Sequence, residues 1–325
     1  MTDHDRHAGD GDSSPGGPAG DLVDSGGRAR LGFPGGRLRP ADWTALAQLA
    51  TEHSGHLQLS SGGVVQIPGA PDGDRLRDRA EAAGLVPRLV HETGRTILSS
   101  PLAGRLPGRT GLGDLPEELD AALGAHPDAS PPAAPVVFGF DDGSGDVLAH
   151  GPDLAAVAGP VDGTARIHAG GRDTGLRTSI ADVVSVLVDA AAGSARSAAR
   201  SAAATSPDVL HDLVVVTLTD HPLTTPAEPP APGAPTGRGE VPPVGWVDTL
   251  DGLVTLLAVV ADGVVPARLA EFLGAVERPS TISADRVIGL HELTEGMAEQ
   301  VVRVLAPMGM VFDATSPWAP RPPGT

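Results

Sequence analysis

Apolar and polar positions change period several times along the chain. After a short apolar strand at ARLGF and a Pro34-Gly35-Gly36 turn, Pro40 suits the first turn of a helix through ADWTALAQLATEH, where its missing amide costs nothing. Trp43, Leu46, Ala47 and Ala50 recur there at three- and four-residue intervals, the spacing of one helix face. HLQLSS then alternates as a strand, Gly62-Gly63 breaks it, and VVQI resumes. DRLRDRAEAAG reads as a second helix that stops at Gly84. The last third runs the same course. LVTLLAVV reads as a strand and Asp262-Gly263 as a turn. Pro266 opens the helix ARLAEFLGAV, STISADRVIGL is the matching strand, and EGMAEQVVRVLAPMG is a helix ending at Gly309. Laid side by side, LSSGGVVQI matches ISADRVIGL and AEAAGLV matches LAPMGMV. Element order, turn glycines and prolines agree, which predicts an internal duplication; a general likeness between two α/β segments is the alternative.

The region between the repeats has another character. SSPLAGRLPG is loop-rich, PVVFGFDDGSGDVLAHG reads as a hairpin around Asp-Asp-Gly, and TARIHAG as a strand. Thr178 or Ser179 can cap a helix carrying Ile180, Val183, Val184, Leu187 and Val188 on one face. HDLVVVTLTD reads as a buried strand, and PLTTPAEPPAPGAPTGRGEVPP is too proline-rich for either element and reads as a linker. The first residues, MTDHDRHAGDGDSSPGGPAGDLVDSGGR, have almost nothing to bury and read as a disordered tail.

Composition narrows the chemistry. The 325 residues contain no Lys, Asn, Tyr or Cys, and the net charge is −18. Schiff-base lysines, a Gly-Lys-Ser phosphate loop, thiolate nucleophiles and cysteine-held metals are therefore excluded from these residues. The acidic balance argues against a nucleic-acid partner, since affinity for the phosphate backbone comes from clustered cations. No apolar run approaches the length of a membrane span and no signal-peptide core is present, so a cytoplasmic, soluble protein is expected.

PGGRL followed by a helix, LQLSSGGVVQIPG, RTILSSPLAG, FDDGSGDV and VLAPMGMVFDATSPW occur in that order over about 29–318. In this combination the chain resembles precorrin-3B synthases and the wider nitrite/sulfite reductase family. The resemblance implies an α+β fold: two ferredoxin-like α/β half-domains related by pseudo-two-fold symmetry around a central α/β domain. It divides the chain into a tail (1–28), a first half-domain (29–90), a central domain (91–222), a Pro-rich linker (223–240), a second half-domain (241–314) and a tail (315–325). It also implies an oxidoreductase with a [4Fe-4S] cluster, joined in the reductases by sirohaem, or a precorrin hydroxylase of cobalamin biosynthesis. Two departures stand out. The family places a cysteine-rich run soon after Ser316-Pro317-Trp318, where this chain has APRPPGT, so no cluster can be held through cysteine. The family pattern Thr/Ser-Ser-Arg-x-Asn-x-Gln-x-Arg falls on Ser60 to Pro68 and keeps only Ser60, Ser61 and Gln66. The lost arginines would meet tetrapyrrole carboxylates bidentately.

The resemblance therefore implies a tetrapyrrole site at Ser60, Ser61, Gln66 and Arg95, the last matching the family arginine of RTILSSPLAG. Arg37 joins them from the densest cationic cluster, Arg28, Arg30, Arg37 and Arg39, for which a solvated loop is the alternative. No catalytic residue is assigned. Two readings follow: a precorrin-3B synthase-like protein, degenerate or truncated before the cluster cysteines, or a non-catalytic tetrapyrrole-binding module or subunit partnering a cysteine-bearing chain. With no further domain to cover it, apolar surface near Met308, Met310, Phe312 and Trp318 is expected to be open to self-association or a partner. Asp141, Asp142 and Asp146 could hold a hard cation, although Asp and Gly are also favoured in a plain turn. His53 and His56 have metal-like spacing without a third ligand, His4 and His7 read as solvated, and no metal site is assigned.

Overall fold

The computed structural model describes residues 28–60, 63–70, 73–85, 95–126, 136–159, 163–198, 206–227, 239 and 241–321. The N-terminal tail with His4 and His7, Ser61, Gly62, Glu92 and most of the Pro-rich stretch lie outside these residues.

The first unit contains β1 (Arg28–Gly32), β2 (Arg37–Leu38), α1 (Pro40–Glu52), β3 (His56–Ser60), β4 (Val64–Pro68) and α2 (Gly73–Ala82). Pro40 occupies the first turn of α1, and the Asp42 carboxylate accepts the Arg39 amide at 2.7 Å, satisfying a donor that the helix start leaves over. Trp43, Leu46, Leu49 and Ala50 form its buried face. α2 ends at Gly84, whose left-handed φ of 76° lets the Leu85 amide reach the Ala80 carbonyl.

The central unit contains β5 (Thr96–Ser99), α3 (Leu115–Ala125), β6 (Val137–Asp141), β7 (Leu154–Ala158), β8 (Thr164–Ala169), β9 (Arg172–Ser179), α4 (Val183–Ala198), α5 (Pro207–Leu218) and β10 (Thr225–Pro226). Its sheet runs β10-β9-β8-β7-β6-β5, with β5, β6 and β7 parallel and the other neighbours antiparallel. α3, α4 and α5 pack with it around a core that includes Leu119, Phe138, Ile167, Leu187 and Val214. Ser179, rather than Thr178, receives the Asp182 amide at the approach to α4.

Three expectations need correction here. The Asp-Asp-Gly segment is not a hairpin, because β6 and β7 are parallel and residues 142–153 form a wide return between them. HDLVVVTLTD is helical. Ser206 caps α5 through the Val209 amide, Pro207 takes its first turn, and Val214 and Leu218 are buried while Val216 is 78% exposed, a four-residue period that overrides the β-branched composition. The Pro-rich stretch supplies β10, a two-residue edge strand in which Pro226 need not donate to a further neighbour. Helix α3 and strand β9 were not foreseen.

The second unit contains β11 (Gly245–Asp248), β12 (Val254–Val260), β13 (Val264–Pro266), α6 (Ala267–Ala275), β14 (Ser280–Ile282), β15 (Ile288–Leu293), α7 (Glu295–Leu305) and β16 (Met310–Val311). STISADRVIGL is thus two antiparallel strands with a turn between them, not one strand. Strand order is β1-β4-β3-β13 in one sheet and β11-β12-β15-β14-β2 in the other. Each unit lends one short strand to the other unit's sheet, β13 pairing with β3 and β2 with β14. The registers Leu59↔Val65 and Ile282↔Ile288 make LSSGGVVQI and ISADRVIGL equivalent residue for residue.

Helices α1 and α6 pack side by side across this pseudo-two-fold relation, and Gly274 permits it: a methyl group there would lie 2.7 Å from Thr44 Oγ1. One apolar core spans both units, from Leu31 and Trp43 to Leu290 and Leu305. Inside it Trp43 Nε1 donates to Ser280 Oγ at 2.6 Å, a buried link from α1 into the other unit's sheet. The fold is α+β throughout. Among the described residues no helix is long and apolar enough to cross a membrane.

Candidate functional site

The strand exchange brings the β3–β4 and β14–β15 hairpin ends to one side of the molecule. There two adjoining hollows of about 140 and 710 Å³ open between them. The larger is walled by Gln58 and Ser60 from the first unit, Asp285 and Arg286 from the second, and Trp318 and Arg321 from the chain that follows β16. Asp285, Arg286 and Trp318 line the smaller hollow as well.

Each wall is built locally. Ser60 Oγ donates to the Val64 carbonyl at 3.0 Å, closing the first hairpin. The second hairpin turns on Ser283, which is buried; its Oγ accepts the Asp285 and Val287 amides, both at 3.2 Å. Arg286 follows in the left-handed region, φ 64°, a conformation uncommon for a long side chain. Asp285 faces His150 of the central unit, with Nε2 3.3 Å from Oδ2. This hydrogen bond raises the His150 pKa above its ordinary value. Gln58 Nε2 donates to the Asp262 carbonyl at 2.7 Å, tying the first hairpin to the turn after β12.

Of the residues expected at a site, only Ser60 lines this cleft. Gln66 lies on β4 opposite Gln58 and Arg30, and Ser61 is outside the described residues. Arg37 points elsewhere: its guanidinium donates to the Gly113 carbonyl and pairs with Asp114 and Glu117 at 3.3 and 3.2 Å, joining the first unit to the start of α3. Arg39 is engaged by Asp42 at 2.8 Å, which raises its pKa, while Arg30 is exposed on β1. Arg37 and Arg39 of the cationic cluster are therefore held by separate acidic partners. Arg95 is buried, with a side chain 5% exposed, and its guanidinium faces Asp120 of α3 at 3.9 Å. Burial lowers its pKa and Asp120 opposes that effect. Arg95 thus joins strand to helix inside the central unit, and in this conformation it does not line the cleft.

The Asp-rich loop is held by its own backbone. Asp141 accepts the amides of Gly143, Gly145, Val147 and Leu148 at 2.8–3.1 Å, so all its strong acceptor directions serve the return from β6. Asp146 accepts the Ser100 hydroxyl, and burial, then the charge of Asp141, pushes its pKa up to about 7. Carboxylate oxygens of Asp141, Asp142 and Asp146 lie within 4.8 Å of one another, but the loop geometry accounts for them without an ion. His53 sits at the end of α1, and His56 Nδ1 lies 3.1 Å from the Ser54 carbonyl.

Near the C-terminal end, Met310 is buried, Met308 and Phe312 are packed against the shared core, and Trp318 is 44% exposed. The expected apolar surface is therefore largely covered, and the exposed indole that remains belongs to the cleft. Residues 315–321 are not a plain tail: two turns fold them back, and Ala319 is buried.

Comparison with known proteins agrees with this architecture. Residues 25–77 match the model of the nitrite/sulfite reductase ferredoxin-like half-domain. The matched stretch covers most of the first unit, from β1 into α2. Across 88% of the chain the fold is shared with the solved structure of the Mycobacterium tuberculosis NirA protein, at a TM-score of 0.75 and 16% sequence identity. The chain spans 57% of the length of that structure. No curated protein matches the chain. Arg286, Trp318, Arg321 and Gln58 were not expected at a site. The signal for one of them was present in the repeat, which sets Arg286 against Gly63 at a turn.

Proposed function

We propose that this chain is a precorrin-3B synthase-like member of the nitrite/sulfite reductase family, a cytoplasmic protein of cobalamin biosynthesis that binds a tetrapyrrole between its half-domain hairpins. The cleft carries this reading. Its volume of about 710 Å³ is of the size that holds a small-molecule ligand, and it offers an exposed indole beside two arginines. The half-domain match and the shared fold support the oxidoreductase family; the specific substrate rests on the sequence resemblance and the cleft chemistry.

The family's two prosthetic groups fit these residues differently. A [4Fe-4S] cluster needs thiolates at fixed spacing, and the 325 residues include no cysteine, so no step is routed through one. A carboxylate-bearing tetrapyrrole fits the cleft, where Arg286 and Arg321 offer charge-assisted hydrogen bonds and Trp318 a face for stacking. When bound, such a group would supply its conjugated ring as the reacting or carried centre. Protein residues would orient it, with Ser60 and Gln58 on one wall and the second hairpin on the other.

The cysteine-free composition favours a second reading, a non-catalytic tetrapyrrole-binding module or a subunit working with a cysteine-bearing chain. Absorbance titration with sirohaem and a hydrogenobyrinate-type ligand tests both. A saturable one-to-one spectral shift is expected, and its absence with every tetrapyrrole tried removes both readings. Turnover of a precorrin with dioxygen would then favour the enzyme, and tight binding without turnover the module.

A further inference from the structure

Arg286 occupies a place that its equivalent leaves to glycine. The registers of the two hairpins put Arg286 opposite Gly63, and both residues are left-handed, φ 64° and 70°. Gly63 reaches that conformation freely, and it also needs to be small: a methyl group there would meet Gly36 Cα at 2.8 Å. Arg286 adopts the same conformation with a full side chain. A non-glycine residue held this way persists where the surroundings fix it, commonly at ligand clamps.

The surroundings point the same way. Arg286 is exposed on the cleft wall, its stem lies 3.5 Å from the Cβ position of Gly263, and no carboxylate among the described residues comes within salt-bridge distance of its guanidinium. Its neighbour Asp285 is drawn instead to His150. Arg321 stands on the same cleft. On a chain with a net charge of −18, Arg286 and Arg321 bring positive charge beside an exposed indole; of the two aspartates on the same hollows, Asp285 is drawn to His150 and Asp262 lies on the smaller one.

We propose that Arg286, at the apex of the second hairpin, is the principal anion-recognising residue of the cleft, taking carboxylates of a planar, aromatic polycarboxylate that stacks on Trp318, with Arg321 as a secondary contact. The proposal rests on the tetrapyrrole reading and specifies which half of the duplicated site holds the ligand's acidic groups. In the first hairpin this position is Gly63; in the second the charge sits at the pseudo-equivalent apex.

The test is fluorescence and absorbance titration of the full chain with uroporphyrin, a heavily carboxylated porphyrin, at low and high salt. Wild type, Arg286→Gly and Arg286→Lys are compared. Glycine suits the left-handed apex, so Arg286→Gly should fold and melt no lower than wild type. Wild type should bind with quenching of Trp318, lost in Trp318→Phe. Arg286→Gly should bind roughly tenfold or more weakly and lose part of the salt dependence, while Arg286→Lys, which keeps charge without the planar fork, should fall between. Equal affinity of Arg286→Gly and wild type would overturn the assignment and leave the cleft reading standing. If wild type binds sirohaem, itself a polycarboxylate, but not uroporphyrin, the same variants are titrated with sirohaem, and equal affinities of Arg286→Gly and wild type overturn the assignment. Failure to bind either ligand would remove the cleft reading as well.

Discussion

The two half-domains turn left-handed at three equivalent positions and meet that demand with different residues. The first uses Gly35, Gly63 and Gly69; the second uses Asp262, Arg286 and Glu292, with φ of 53°, 64° and 60°. The backbone path is therefore duplicated more faithfully than the side chains. Glycine takes such a conformation at no steric cost, whereas an L side chain gives up roughly 1–2 kcal/mol. Asp262 lines the smaller hollow, and the other two residues reach further. Glu292 faces Arg105 at 3.6 Å, joining that unit to the central one, and Arg286 stands on the cleft. The first half keeps a cheap turn, and the second keeps side chains there.

The next residue tests how symmetric the exchange of strands is. Gly36 and Gly263 are equivalent, and each passes under a strand of the other unit. A methyl group on Gly36 would lie 2.0 Å from the Ile282 carbonyl oxygen, while one on Gly263 would lie 3.0 Å from that of Leu59. Both are left-handed, φ 65° and 71°. Gly36→Ala should cost about 3 kcal/mol or more, because β14 must move off β2 or the chain must abandon its turn. Gly263→Ala should cost about 1–2 kcal/mol, since a smaller shift suffices. Urea unfolding of the two variants measures the pair. Equal costs would mean that the two crossings are equally tight and the asymmetry has been misread.

Acid should separate the halves next. His291 is buried in the second sheet, with Nδ1 3.2 Å from Thr255 Oγ1 and Nε2 2.8 Å from Thr281 Oγ1; its equivalent in the first half is Pro68, which cannot titrate. Burial holds the His291 imidazole neutral well below the ordinary value of 6.5, with the charges of Arg105 and Arg37 adding to the effect. The unfolded chain takes up that proton near 6.5 while the folded one does not, so the unfolded state binds more protons and stability falls as the pH drops below about 6.5. The loss should grow as the pH falls from about 6.5 toward 5. His291→Gln, which can still bond to a threonine, should flatten that slope; an unchanged slope would assign the acid sensitivity to other groups. Asp146 works in the opposite sense. Its folded pKa of about 7 lies above the ordinary carboxylate value, so the stability tied to its proton is lost as the pH rises through 7.

The repeat itself was legible in the sequence, because hairpin registers reproduce the alignment of LSSGGVVQI with ISADRVIGL and because Pro40, Gly84 and Gly309 punctuate the helices as their chemistry requires. The exchange of strands was not. β2 and β13 are two and three residues long, too short for any periodicity, and their partners are more than 200 residues away in the case of β13 and β3. The Asp-rich loop was misread because Asp-Asp-Gly is compatible with a hairpin as well as with the wide return that Asp141 organises. Arg37 and Arg95 were expected to face a ligand, and both are occupied by acidic groups of α3, which depends on tertiary packing alone. Arg286 carries no sequence signal beyond its alignment with Gly63, and its place on the cleft depends on how the two hairpins come together.

Asp262 is the smallest and sharpest test of the comparison: it lines the smaller hollow, but no described residue is hydrogen-bonded to its side chain or ion-paired with it. Its structural service is the backbone carbonyl that accepts Gln58 Nε2 at 2.7 Å, and a glycine would present the same carbonyl. Its φ of 53° is left-handed, and its equivalent in the first half, Gly35, makes the same turn at 62°. Aspartate tolerates that region better than most residues, so the strain to be relieved is modest and is partly offset by the greater freedom of a glycine in the unfolded chain. Asp262→Gly should therefore raise stability by at most about 0.5–1 kcal/mol, within a degree or so of unchanged melting at the lower end. The reverse exchange is not equivalent. A side chain at Gly35 would meet Pro116 Cγ at 2.9 Å and Ser99 Cβ at 3.1 Å, where the first half-domain packs on the central unit, so Gly35→Asp should destabilise clearly. Thermal melts of the two single variants measure both. If Asp262→Gly proves destabilising by more than about 1 kcal/mol, its carboxylate has a role in the second half-domain, and the division into a cheap turn and a working one fails at this position.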